Sequence, residues 1–406
     1  MKNRYMLKIE NLLEKGVKIP NPDSIEIGDE VNTDRISGNG VIIRAGCKIF
    51  GSSTLVSRGT ELGYEGPVTI ENCQIGPHVN IRGGFIKEAV FLKNVNIGSG
   101  AHVREGTILE EESSIAHTVG LKQTILFPFV TLGSLINFCD CLMSGGTGGN
   151  DHSEVGSSYI HFNYTPNQDK ATPSLIGDVP KGVMLNQKPI FLGGQGGIVG
   201  PCRLSFGTLI AAGTICRKDE LRPGRLIFGG EKISGNIRFN KGVYNGIKRI
   251  IINNIIYIAN LMALMQWYIH VRSIFISDDC PQPLFDGLKE KLNMAIDERI
   301  IRLKGLRDNM PDSKASSAVL EHMNAFYDRW PEIENSFNDL RGKTGDQDIR
   351  DLFLEKVYAG IKRSGKDYTA VIKGLESGHS ESGTKWLQGI IDEITTETYK
   401  IIPSLI

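Results

Sequence analysis

Arg104 and Lys122 stand 18 residues apart in a chain of 406. Two cations held side by side repel one another and call for an anion; a phosphate suits both, because Arg offers it a planar fork and Lys a point charge. That chemistry needs residues 18 apart to be neighbours in space; otherwise the two are solvated surface side chains. A second candidate group, Asn163, Tyr164 and Lys170, lies in "NYTPNQDKATPSLIGD", a polar stretch that interrupts an apolar pattern. A loop thrown out of a regular scaffold costs ordering entropy, and such loops commonly carry function.

The scaffold is legible as a period. Every sixth residue from Phe85 is bulky and apolar: Phe85, Phe91, Ile97, Val103, Leu109, Ile115, Leu121 and Phe127. Fainter runs of the same period are Ile25, Val31, Ser37, Ile43, Ile49 and Leu55, then Leu192, Ile198, Leu204, Ile210 and Cys216. A helix needs a period near 3.6, so this region is not helical. A six-residue repeat is the signature of a parallel β-helix, whose short strands meet at corners and whose coils stack. Three hexads make an 18-residue coil, with coils about 4.8 Å apart, the spacing of neighbouring strands. On that rule Lys122 sits one coil above Arg104, and Asp140 one coil further on.

The pattern changes after about Gly235. "RIIINNIIYIANLMALMQWYIHVR", Arg249 to Arg272, is long and apolar enough to raise a membrane span, but Asn253, Asn254, Asn260 and Gln266 would be costly in lipid. A buried helix packed on its own domain or a subunit neighbour is expected. Leu284, Leu288, Leu292, Ile296 and Leu303 recur at helical intervals among charges, and the rest reads likewise. The expected organisation is a lead-in over 1–24, a β-helix domain over 25–234 and an α-helical domain over 235–406.

Composition bounds the rest. Lys plus Arg and Asp plus Glu number 46 each, which argues against nucleic acid or an acidic membrane held by bulk charge. Seven cysteines include no Cys-x-x-Cys pair, so neither a zinc site nor a disulfide framework is signalled, and a cytoplasmic protein without metal is expected. The first twenty residues lack the apolar core of a signal peptide.

Three segments, "VREGTILEE", "FNYTPNQDKATPSLIGD" and "VGPCRLSFGTLIAAGT", resemble in order the Leu-Arg-Pro-Gly corner, the Asn-Tyr-Asp-Gly loop with its Ile-Gly-Asp, and the Ile-Ala-Ala-Gly-Thr turn of the GlmU-type acetyltransferase half. The resemblance runs from about Ile97 to Asp219. It implies a left-handed β-helix, a homotrimer, and acetyl transfer from acetyl-coenzyme A to an amino sugar phosphate. On the matching positions, Arg104 falls on the family's sugar-phosphate arginine and Lys122 on a substrate lysine, in agreement with the ladder. Asn163 and Tyr164 line its acetyl and sugar site, Lys170 corresponds to its loop lysine, and backbone at Gly194 and Ala212 meets the coenzyme arm.

The departures bear on catalysis. In "LGSLINFCD", Ser134 falls on the family's catalytic histidine and Asn137 on its substrate tyrosine; Glu154 replaces an asparagine, and "SGGTGGNDH" inserts about six residues beside the site. A serine cannot deprotonate an ammonium near neutral pH, so a substitute base is required. His117, 17 residues before Ser134, is expected diagonally next to it; His152, in the insertion, could fold over the site; His161 precedes the loop. Each has the alternative of being an ordinary surface or buried histidine. "GGTGG" as a phosphate cradle lacks the strand-then-helix setting of a P-loop. No uridylyl transfer is expected, because only about 23 residues precede the first repeats.

The leading expectation is acetyl transfer from acetyl-coenzyme A to the amino group of a phosphorylated or nucleotide-linked sugar. A binding or assembly protein that kept the scaffold and lost the base is the second, and a structural coat the third.

Overall fold

The structure, a computed structural model, describes residues 4–229, 244, 246–310 and 318–405. The predicted boundary at 234/235 lies outside the described residues. Strands of two to four residues, and two of seven that run through a corner, alternate with left-handed corner residues, and inward side chains such as Ile97, Val103, Leu109, Ile115 and Leu121 are apolar and buried. The result is the expected left-handed parallel β-helix followed by an α-helical region. It has three faces. The first runs from Glu26–Ile27 to Ile215–Cys216, the second from Leu55–Val56 to Arg203–Leu204, and the third stacks ten strands from Ile42–Ile43 to Leu226–Ile227.

The 18-residue rule holds for only some coils. His102 pairs with Gly120, and Ile97 with Ile115, both 18 apart. Gly120 pairs with Asn137, Ile115 with Leu132 and Ile108 with Ile125, all 17 apart. The corner from Arg104 to Thr107 has one residue more than the corner from Lys122 to Thr124 above it, where Gln123 takes a left-handed conformation and the strand Gly120–Leu126 runs through without a break. Cys139, rather than Asp140, therefore pairs with Lys122. Asp140 stacks on Gln123 as the next left-handed corner residue, φ 64°, and is turned into the interior, 3% exposed. The shorter coil below also puts Phe85 on the outer surface, against the His102 ring at 5.3 Å, while Ile86 points inward.

Helices follow as α1 (Arg4–Glu14), α2 (Val179–Gly182), α3 (Ile247–His270), α4 (Gln282–Asp308), α5 (Ala318–Asp328), α6 (Trp330–Leu340), α7 (Gln347–Ser364), α8 (Tyr368–Lys373) and α9 (Ser377–Ile401). In α1, Ile9 and Leu12 are buried against the first coil. The helix α3 is the segment that raised a membrane question, and it is long and apolar enough by length and composition to span one. It is instead packed between α4, α9 and the second face, and its three asparagines are used. Asn260 Oδ1 accepts the Val179 N–H at 3.0 Å, Asn254 Nδ2 donates to Ala171 O at 3.0 Å, and Asn253 Nδ2 donates to Asp219 Oδ1 at 3.0 Å. Each asparagine thus has a hydrogen-bond partner that lipid would not supply, although Oδ1 of Asn253 and of Asn254 is buried without one. The helix α4 lies along Gln74–Ile75, Ala89–Phe91 and Thr107–Leu109, so solenoid and helices share one apolar core.

Candidate active site

At the corner where the third face turns into the first, a left-handed residue in each coil donates its N–H to the coil below. Leu135 donates to His117 O (3.1 Å), Ser158 to Ser134 O (2.8 Å), Gln195 to Ser157 O (2.9 Å) and Gly213 to Gly194 O (2.9 Å). His117, Ser134, Ser157, Gly194 and Ala212 thereby form one column. His117 is not diagonal to Ser134: with a 17-residue coil between them they are in register, and His117 Nδ1 lies 2.8 Å from Ser134 Oγ. Ser157 Oγ accepts the Ser134 N–H at 3.1 Å, which fixes the serine from above. The His117 ring is exposed. From the coils below, the Glu65 carboxylate, hydrogen-bonded to Ser99 and Arg82, is within electrostatic reach of it.

The candidate coenzyme positions continue that column. A Cβ on Gly193 would stand 2.3 Å from Ala212 N, and one on Gly156 would stand 2.4 Å from Gly194 N. The coils approach here through bare backbone, with the exposed Gln195 as the side chain beside Gly194.

Across the first face lies the phosphate candidate. A groove is lined by His102, Arg104, Thr118, Leu135, Asn137 and Cys139; Thr118 and Leu135 are the chain neighbours of His117 and Ser134, so the groove lies beside the histidine corner and reaches Arg104, while His117 itself lines an adjoining depression with Glu65 and Arg82. Arg104 and Lys122 are stacked as the spacing predicted: the Arg104 N–H donates to Leu121 O at 2.9 Å. The ladder is not purely cationic. Lys122 Nζ is 2.5 Å from Glu105 Oε1, whereas Arg104 has no ion pair within 4 Å among the described residues. Burial pushes the Glu105 carboxyl up, but the Lys122 hydrogen bond, a hydrogen bond from its own backbone and the Lys122 and Arg104 charges together outweigh it and hold the group below its ordinary value. Above Lys122, the Cys139 thiol donates to Asn137 Oδ1 at 3.3 Å. Burial, with Asp140 adding, pushes that thiol up to about 11 against the pull of Arg104 and Lys122, so it stays protonated.

The loop after Ile160–Phe162 leaves the far edge of the same face. Asn163 Nδ2 donates to Asp140 Oδ2 at 3.1 Å, Tyr164 is 67% exposed, and Lys170 is half-buried with φ 56°. The structure thus brings His117, Ser134, Arg104, Lys122, Asn137 and Asn163 to one face and its edges.

It does not bring the other candidates there. The insertion with His152 is a hairpin, Gly146–Gly148 with Asp151–His152, at the corner between the second and third faces, where it bridges to Gln187. Its His152 Nδ1 pairs with Gly149 O at 2.8 Å. Glu154 is exposed on the third face between Thr131 and Phe191. His161 is interior, 2% exposed, 2.8 Å from Ser174 Oγ, and burial depresses its imidazole to about 4. The sequence reading missed Glu105, which adjacency to Arg104 could have flagged, and Arg299 of α4, which donates to Asp140 Oδ1 at 2.7 Å from 159 residues away and has no local signal. Among the described residues no group of three or more His, Cys, Asp or Glu is arranged to hold a metal ion.

No protein-family model matches the chain. The bifunctional protein GlmU of Thermotoga maritima is 31% identical over 215 residues, 53% of this chain and 42% of that protein. The GlmU of Pelobacter propionicus is 29% identical over 210 residues, 52% of this chain and 40% of its own length. The chain spans less than half the length of these relatives. Among solved structures, a UDP-N-acetylglucosamine acyltransferase from Campylobacter jejuni aligns over 53% of this chain and 71% of its own, at 13% identity and a TM-score of 0.16, too loose a superposition to bear on the site. Over half its length, this chain is similar to GlmU, as the three repeat segments indicated.

Proposed function

We propose that the chain is an acyltransferase that moves an acetyl group from acetyl-coenzyme A to the amino group of a phosphorylated or nucleotide-linked sugar. The observation that carries this is the His117–Ser134 contact of 2.8 Å, in the column that leads to Gly194 and Ala212. An acceptor ammonium must lose a proton before its nitrogen attacks the thioester carbonyl; the C–N bond then forms, the C–S bond breaks, and the thiolate leaves. An imidazole is the side chain suited to taking that proton near neutral pH.

Two arrangements are consistent with the contact. If His117 Nδ1–H donates to Ser134 Oγ, the serine holds the ring and Nε2 accepts the proton. If Ser134 O–H donates to Nδ1, the hydroxyl oxygen relays the proton from amine to imidazole. In both, His117 is the base and Ser134 its orienting partner. Arg104 would grip the acceptor phosphate, with Lys122 joining as Glu105 is displaced. Asn137 and Asn163 would orient the acceptor, with Tyr164 and Lys170 closing over it from the loop. Backbone at Gly194 and Ala212 would meet a slender thioester arm, where the coils are in close backbone approach. Exposed Leu135, Ile160 and Phe162 on this face fit a neighbouring prism of a homotrimer, and a cytoplasmic location is part of the proposal.

The test is thiol release from acetyl-coenzyme A in the presence of amino sugar phosphates. Dependence on both acceptor amine and phosphate supports the assignment; release with hydroxyl acceptors alone refutes it.

A further inference from the structure

The loop from Asn163 to Pro173 is gripped along its length by the helical region. Asn254 Nδ2 donates to Ala171 O at 3.0 Å, Tyr244 Oη to Asp169 Oδ2 at 3.0 Å, and Asn309 Nδ2 to Asn167 O at 2.9 Å. Asn163 itself is held at one remove. Its Nδ2 donates to Asp140 Oδ2, while Asp140 Oδ1 accepts from Arg299 Nη2 of α4.

Asp140 and Arg299 are 3% and 2% exposed, and Arg299 Nε and Nη1 are buried without a hydrogen-bond partner. Desolvating such a pair costs about what its attraction returns, so it is a poor device for merely fastening a helix to a sheet. What the pair does fix is an orientation. A carboxylate held by a guanidinium accepts hydrogen bonds only, so the Asn163 amide must turn Nδ2 toward it and present Oδ1 on the other side. That oxygen is an acceptor, matched to the N–H of an amino group.

We propose that Arg299 is a positioning residue for the acyl-transfer site: acting through Asp140, it sets the Asn163 carboxamide with its oxygen toward the acceptor amine, so that the helical region shapes a site it does not touch. The inference rests on the role proposed above for Asn163. It gives a use to a region whose sequence names no chemistry.

The test uses the full chain with Asp140→Asn, Arg299→Gln and Arg299→Lys, each also combined with Asn163→Ala. Amide hydrogen exchange over 163–173 is expected to rise about 10-fold or more in Asp140→Asn and Arg299→Gln, with that of Gly197–Val199 unchanged. The value of kcat/KM for the amino acceptor is expected to fall roughly 10-fold to 100-fold, as misplacement of a contact group does. Arg299→Lys should recover part of the loss, and no variant should lose more once Asn163→Ala is present. Unchanged loop exchange in the folded variants overturns the inference, as does full additivity with Asn163→Ala. If Arg299→Gln does not fold, Asp140→Asn and Arg299→Lys carry the same comparison. If the parent transfers no acetyl group, the proposed function fails, and the exchange measurement still decides whether Arg299 holds the loop.

Discussion

Two buried titratable groups, His161 and Glu110, make opposite demands on pH, and the structure sets the size of each. Burial depresses the His161 imidazole from 6.5 to about 4, with the Asp140 charge opposing. Burial raises the Glu110 carboxyl from 4.5 to about 7, against the Arg272 guanidinium and with Glu111 adding to the rise; Tyr268 donates to it at 2.6 Å. Between about pH 4 and 6.5 the unfolded chain binds a proton at position 161 that the native state refuses, so acidification destabilises, by roughly 1.4 kcal/mol per pH unit and about 3 kcal/mol in all. Between about pH 4.5 and 7 the native state keeps a proton at Glu110 that the unfolded chain has lost, so acidification stabilises by a similar amount. The two slopes cancel from about pH 4.5 to 6.5. Urea unfolding of the parent should therefore show little contribution from this pair in that window. His161→Gln should gain stability on acidification relative to the parent, and Glu110→Gln should lose it, each by about 1.4 kcal/mol per pH unit. Parallel pH profiles for parent and both variants would refute the reasoning.

Three further outcomes follow from particular contacts. Arg104→Ala should weaken a phosphate-bearing ligand by about 1.5–3 kcal/mol, the worth of a charged hydrogen bond, and Glu105→Gln should tighten it by freeing Lys122; calorimetry showing both unchanged removes the phosphate site. Asn260→Ala leaves the buried Val179 N–H without its acceptor and should cost about 1–3 kcal/mol in urea unfolding, whereas a neutral result would mean the contact is not formed. Because α3 is buried among α4, α9 and the second face, the chain should purify from the soluble fraction without detergent; quantitative recovery with membranes would contradict that packing.

The solenoid was legible because its inward positions leave a period in the chain: Phe91 to Leu121 fall every six residues and every one is buried. The register was less so. A corner can lose one residue with no change in the apolar period of either flanking strand, so chain arithmetic carried Asp140 onto the ladder where Cys139 stands and set His117 off to one side of Ser134. The insertion before His152 was visible as glycines, but not the corner it would leave from. Arg299 was out of reach for a different reason. Its partner is 159 residues away, and nothing in a helix of charges and leucines distinguishes one arginine that turns inward from those that face solvent. The asparagines of α3 sit between these cases: their presence argued against lipid, and only the fold showed that each holds a backbone or side chain of the solenoid's loops.

The most direct measurement is single-turnover acetyl transfer from acetyl-coenzyme A to an amino sugar phosphate by the parent, His117→Ala and His152→Ala. The account predicts transfer by the parent, a loss of about 10²–10⁴ in rate for His117→Ala, as removal of a general base gives, and a near-parental rate for His152→Ala, whose ring is bound to Gly149 on another corner. Equal rates for the parent and His117→Ala would contradict it.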